Sequence, residues 1–374
     1  MGTATYALGE SPTIRINTCH GDMEIEGRQG GDVLVTSNSM PQSVQQSEGL
    51  TIEQCEDDLR LIVPLGATVM IERADGDVRA LRLAGLEIGA VQGELEAGSV
   101  RDHLDLRRVE GDARIRDTGR LTLGRIGGDM NVEAISAACT IQEVAGDVRM
   151  RDLASVSLER TGGDLILSSS GASRVGNVDG DARVGEVADL SLDRVGGDLT
   201  VERVRGSLSF RDVDGDARLH GTMHGMERAH VGGDLSLDAA LASGETSSLD
   251  VDGDVSLSVP NDADLALHAD VGGDVSGVER HGDVGPVDVA WGAGRARLTL
   301  RVGGDLNVYG SAVTATDRSV LSFAATDASE PSHSAEATRV DPAESSGGDP
   351  DLALLEAVAR GELSPEEADR LLAR

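Results

Sequence analysis

Between residues 181 and 197 the apolar side chains fall at Ala182, Val184, Val187, Leu190, Leu192 and Val195. The next stretch repeats the spacing at Leu199, Val201, Val204, Leu208, Phe210 and Val213. Each set holds two i,i+2 pairs, the alternation of a strand with one buried face, with single valines between them at corners. The pattern predicts short strands wound into a coil, each residue lying about 4.8 Å above its counterpart.

A Gly-Asp pair punctuates this pattern every 17 or 18 residues, in two alternating flavours. One reads Gly-Gly-Asp, as at Gly128-Asp129, Gly163-Asp164, Gly197-Asp198 and Gly233-Asp234. The other ends in a small residue and Arg, as in Gly111-Asp112-Ala113-Arg114, Gly146-Asp147-Val148-Arg149, Gly180-Asp181-Ala182-Arg183 and Gly215-Asp216-Ala217-Arg218. A fixed short period is the mark of a stacked repeat protein. The fold class expected is therefore all-β: a single-stranded β-solenoid of about 17–18 residues per rung, right-handed by analogy with other solenoids.

Charge decides between a coil of 17 residues and one of 35. Three residues before Gly-Gly-Asp stands a base: Arg125, Arg160, Arg194 or His230. Before the other Gly-Asp stands an acid or amide: Glu143, Asn177, Asp212 or Asp250. A 17-residue coil stacks base over acid, whereas a 35-residue coil stacks arginine on arginine at strand spacing. The shorter coil is expected.

The pattern divides the chain into four parts. Residues 1–72 carry alternating β-branched runs with irregular spacing and read as a strand-rich N-terminal cap. Residues 73–310 are the β-solenoid repeat. Residues 311–349 turn to Ser, Ala, Thr, Asp and Glu with little periodicity, the composition of a flexible linker. Residues 350–374 read as a helical hairpin, with Ser364-Pro365-Glu366-Glu367 as the capped start of its second helix. Its apolar side, Leu352, Leu355, Val358, Leu371 and Leu372, has little core of its own. Those residues are the expected interaction site, through self-association into a homo-oligomer or docking on a protein partner.

Composition narrows the chemistry. The 374 residues hold five aromatics, Tyr6, Phe210, Trp291, Tyr309 and Phe323, so the interior is built from Val, Leu, Ile and Ala. The 48 glycines suit turns that need a positive φ or a close backbone approach. The net charge is −33 and every Lys/Arg position is Arg. That balance excludes nucleic-acid binding through phosphates and disfavours anionic lipid. No apolar window is long enough for a spanning helix and no secretory signal is evident, so the expected location is the cytoplasm.

The segment Val63-Pro64-Leu65-Gly66-Ala67-Thr68-Val69, followed by Gly76-Asp77-Val78 and the later Gly-Asp repeats, resembles the bacterial adhesin-like β-strand-repeat family, a domain of unknown function. The resemblance covers roughly residues 1–310. The tail from Leu355 to Leu372 resembles short helical-hairpin oligomerisation modules that accompany such repeats in some envelope-stress proteins. The rung length is also similar to that of bactofilins, narrow solenoids that polymerise end to end.

Candidate sites read as structural. The Asp ladder (Asp112, Asp129, Asp147, Asp164, Asp181, Asp198, Asp216, Asp234) offers oxygen ligands to a cation, but an Asp after a turn glycine ordinarily bonds nearby backbone amides. His220, His224 and His230 form an incidental surface group, and Cys139 a buried thiol matching Leu121 and Leu190. The cysteines, Cys19, Cys55 and Cys139, show no CxxC spacing. With no nucleophile elbow or P-loop, no catalytic residue, cofactor or metal is assigned. The expectation is a non-enzymatic scaffold or interaction protein, possible alternatives of a different class being a surface adhesin or carbohydrate-binding protein, and a bactofilin-like filament former.

Overall fold

The computed structural model describes residues 2–46, 49–223, 226, 228–278 and 286–310. The linker 311–349, the hairpin 350–374 and its five interaction residues lie outside the described residues.

The described residues are all-β and form a β-solenoid, with no helix among them. Strands pair in parallel at the expected offset: Val78 opposite Leu95, and Leu95 opposite Ala113. The 17-residue coil is therefore the observed one. Each rung has two faces. Face one follows the Gly-Asp turn and face two precedes the next.

From Val78–Val91 to Ala182–Val195 a single long strand runs through both faces. In the first six of these rungs it bends at a left-handed residue: Arg82, Ser99, Asp117, Ala134, Asp152 and Ser169 have φ between 52° and 58°. No glycine marks this corner. All six side chains point to solvent, and the following residue turns inward, as at Leu83, Val100 and Ile135. From Leu199–Val204 onward the long strand is broken at the corner, and after Asp234 the period stretches to 20 residues.

The core is a set of columns one side chain wide. Face one supplies Leu165, Ala182 and Leu199; face two supplies Val175 and Leu192; the column before the turn holds Val144, Thr161, Val178 and Val195. Identical aliphatic layers at strand spacing bury one another without large rings. Phe210 and Trp291 are also buried. Two polar departures are satisfied internally: Thr161 Oγ1 donates to the Gly146 carbonyl at 2.9 Å, and the Ser170 and Ser173 hydroxyls meet at 3.0 Å.

Both ends depart from chain order. The first rung, Thr13–Cys19 and Met23–Arg28, lies between the rung Gly49–Cys55/Leu59–Pro64 and the strands Thr68–Ala74 and Val78–Val91. Residues 1–72 thus contribute rungs as well as a lid. The lid is antiparallel: Asp32–Ser37 pairs with Leu59–Pro64, Gly2–Ala7 with Asp32–Ser37, and Gln42–Gln46 with Gly49–Cys55. At the other end Ala296–Val302 sits between Thr246–Val251 and Leu265–Val271, and Leu306–Tyr309 between Val255–Ser258 and Val275–Ser276. Val287–Trp291 closes that end as an antiparallel strand.

Candidate functional site

The acidic turns build a ladder in two runs, Asp58 to Glu94 and Asp112 to Asp274. In each turn the Asp Oδ1 accepts the backbone N–H of the acidic residue in the neighbouring rung, at 2.7–3.1 Å. In space the order is Asp58, Asp22, Asp77, Glu94, then Asp112 through Asp254 in sequence, then Asp305 and Asp274. One carboxylate oxygen per rung is thus committed to the backbone, the turn chemistry expected of an Asp after glycine. Glu94 interrupts the series, since its longer side chain reaches Arg114 at 2.9 Å instead.

The turn glycines are required by proximity. A Cβ on Gly163 would lie 2.3 Å from Asp147 Oδ1 and 2.8 Å from the Gly146 carbonyl carbon. The Asp of one rung occupies the space a side chain would need in the next.

Beside the ladder runs the first outward column of face one: Arg79, Glu96, Arg114, Asn131, Arg149, Ile166, Arg183, Thr200 and Arg218. Arginine recurs at every second rung, about 9.6 Å apart. This is the structural meaning of the two flavours of repeat. The remaining carboxylate oxygens lean toward these arginines, with Asp112–Arg114 at 3.7 Å, Asp147–Arg149 at 3.9 Å and Asp216–Arg218 at 3.5 Å. Arg183 has no carboxylate within ion-pair distance among the described residues.

Ladder and column form the walls of shallow recesses along face one. One of about 590 Å³ spans the turns of Asp58 to Arg114, and another of about 120 Å³ shares its Glu96 and Arg114. A third, about 210 Å³, runs from Asp147 to Arg218. At its centre is Ile166, 38% exposed, in register between Arg149 below and Arg183 above. An exposed branched aliphatic framed by two guanidinium groups is suited to hold an apolar side chain flanked by carboxylates.

Face two carries the charge column expected from the sequence. Arg125 meets Glu143 at 3.1 Å, Arg160 meets Asp179 at 2.7 Å, and Arg194 reaches Asp212 at 3.8 Å and Asp214 at 2.7 Å. The alternation continues through His230, Asp250, Arg301 and Asp270, across the exchanged rungs. Arg108 opposite Arg125 is an exception, and Arg108 turns aside to Glu110 at 2.5 Å.

The histidines are not brought together. His220 lies on face one, 3.5 Å from Asp238, whereas His230 lies on face two, opposite Asp212 and Asp250. His224 lies outside the described residues. Among the described residues no group of three His, Cys, Asp or Glu side chains is placed to hold a metal. Cys139 is buried between Leu121 and Val156, and burial pushes its thiol up to about 12.

Two arrangements escaped the sequence reading. Ile166 stands where neighbouring rungs carry Arg, Thr or Asn, a substitution visible only once the column is aligned. Cys19 and Cys55 are direct neighbours because the first rung is displaced from chain order.

No family model and no curated protein matches the chain. Among solved structures it is similar to a "putative cell adhesion protein" from Clostridium sporogenes, at 9% identity and a TM-score of 0.17, over 83% of this chain and 99% of that one. A score that low carries no argument. The architecture described above rests on the register of this chain alone.

Proposed function

We propose that the chain is a non-enzymatic scaffold that binds a protein partner along face one and is multimerised or recruited through residues 350–374. The observation that carries the reading is Ile166 between Arg149 and Arg183 in the 210 Å³ recess. The partner segment this chemistry selects presents a branched apolar side chain with acidic residues on either side. Repeated Asp/Arg positions above and below extend the contact and set its direction.

The test is capture of partners by the full chain against two variants, Ile166→Asp and Arg183→Glu. Both positions point outward, so the variants retain the fold by circular dichroism. Each is expected to lower retention of a shared set of partners at least tenfold. Equal capture by all three proteins refutes face one as the docking surface. Deleting residues 351–374 is expected to lower the mass measured by light scattering; an unchanged mass removes the tail from the reading.

Glycan binding ordinarily uses exposed aromatic platforms. Phe210 and Trp291 are buried, and Tyr309 is the aromatic most open to solvent among the described residues. This supports placing the carbohydrate-binding alternative second. End-to-end polymerisation is disfavoured by the antiparallel strands that cover both ends.

A further inference from the structure

Cys19 and Cys55 oppose each other in parallel strands, Thr13–Cys19 and Gly49–Cys55. Both are free thiols with 0% exposure. They occupy the inner column before the turn, which continues as Ala74, Val91, Val109 and Ile126. Packing alone is satisfied there by small and branched aliphatic residues, and the two positions that carry sulfur are adjacent.

The local hydrogen bonds draw the sulfurs together. The carbonyl oxygen of Asp57 accepts from Cys55 Sγ at 3.1 Å and from Cys19 Sγ at 3.7 Å. Cys19 Sγ also donates to the Gly21 carbonyl at 3.5 Å, and the Ser37 hydroxyl lies 3.7 Å from Cys55 Sγ. Neighbouring parallel strands hold their Cα atoms about 4.8 Å apart, inside the range that disulfides bridge.

We propose that Cys19 and Cys55 form a dithiol oxidation site, which a hydroperoxide converts to a disulfide joining the chain's first rung to its neighbour at the capped end. The two sulfurs are not equivalent. Hydrogen bonding from Cys19 pulls Cys55 toward the thiolate, helped by Ser37, while the same contact and then burial push Cys19 up. The attack is assigned to Cys55, whose sulfur the Ser37 hydroxyl also reaches at 3.7 Å. Its sulfur takes the terminal peroxide oxygen, the O–O bond breaks, and hydroxide leaves to become water with the thiol's proton. The Cys19 sulfur then attacks the Cys55 sulfenic acid as its own proton departs; the S–S bond forms, the S–O bond breaks and a second water leaves. Two thiols are oxidised by two electrons and one hydrogen peroxide is reduced to two waters. Cys139 has no second cysteine beside it in its column and remains a thiol.

The experiment treats the native full chain with hydrogen peroxide, quenches it, and counts thiols after denaturation with a maleimide. Loss of two of the three thiols is expected, with a mass lower by two hydrogens. A non-reduced digest is expected to link the peptides of residues 19 and 55, and a phosphine reductant to restore both thiols. Cys139→Ser should lose both remaining thiols in the same way, which keeps the test valid if substitutions at the buried pair impair folding. Three intact thiols at a peroxide dose that oxidises the unfolded chain overturn the proposal. Oxidation to sulfinic acid without the 19–55 link overturns it equally.

Discussion

Asp254 Oδ1 accepts the backbone N–H of Asp305 at 2.7 Å, although 51 positions separate the two residues in the chain. Asp305 in turn accepts from Asp274, so the last rung to be made stands between two earlier ones. The carboxylate-to-amide link is the same one that joins consecutive rungs in the middle of the stack. It gives the exchanged rung its register.

Asp254→Ala is expected to destabilise the chain by about 1–2 kcal/mol, since a charge-assisted hydrogen bond at a solvent-facing turn is removed. Asp254→Asn keeps an acceptor oxygen and should cost less than half as much. Chemical denaturation of the two variants checks the order. Equal losses would show that the turn depends on charge and not on the acceptor.

Gly163→Ala is expected to cost about 1–3 kcal/mol, because its Cβ meets the Gly146 backbone and Asp147 Oδ1, which would have to give up its hydrogen bond from the Asp164 N–H to move away. Ala134→Gly tests the other corner. Its φ of 58° strains an L-residue, so glycine there should stabilise by about 0.5 kcal/mol after its greater unfolded-state freedom is counted. Thermal midpoints shifting in opposite directions confirm that the turn and the corner are different problems in backbone geometry.

In the sequence, the coil length, the alternation of faces and the base-over-acid column could all be read, because each depends on neighbours about one rung apart. Arg125 and Glu143 are the plainest case. The left-handed corner could not be read, since Asp152 or Ala134 gives no glycine signal. Nor could the exchanged rungs. Inner columns of Val, Leu and Ile fit any slot, and Asp58 begins its rung after Asp57 rather than after the glycine that marks other turns. The functional reading suffered most, as Ile166 is one apolar residue among many until its column is aligned.

Replacing Glu143 with Arg places three arginines in consecutive rungs with Arg125 and Arg160. A loss of about 0.5–1 kcal/mol is expected at low salt, shrinking as ionic strength rises. Adding Arg125→Glu should recover part of it. A salt-independent loss would point to packing and not to charge.

Asp264 fixes the turn before the last rung, accepting the Arg295 backbone N–H at 3.0 Å and pairing with its guanidinium. The backbone hydrogen bond first, then the Arg295 side chain, holds its carboxyl below the usual range. A folded-state pKa below the unfolded value of about 3.9 means the stabilisation is present above that pH and is lost as pH falls through the folded value. Asp264→Asn should therefore lower the midpoint most at pH 7 and above, where the stabilisation is present, and converge on the wild-type midpoint in acid, so that the acid side of the profile is flatter. An unchanged midpoint at pH 7, or a midpoint difference that does not shrink in acid, contradicts this.

Because the stack is closed at each extremity by a rung taken out of chain order, it offers no terminus onto which a further coil can simply be appended. Gain or loss of length must occur in the interior, and whole pairs of rungs must be exchanged there to keep arginine at alternate levels. Gene duplication within the central segment can thus lengthen the display surface while leaving both closures intact, whereas a break after residue 295 leaves a vacant layer in the fold.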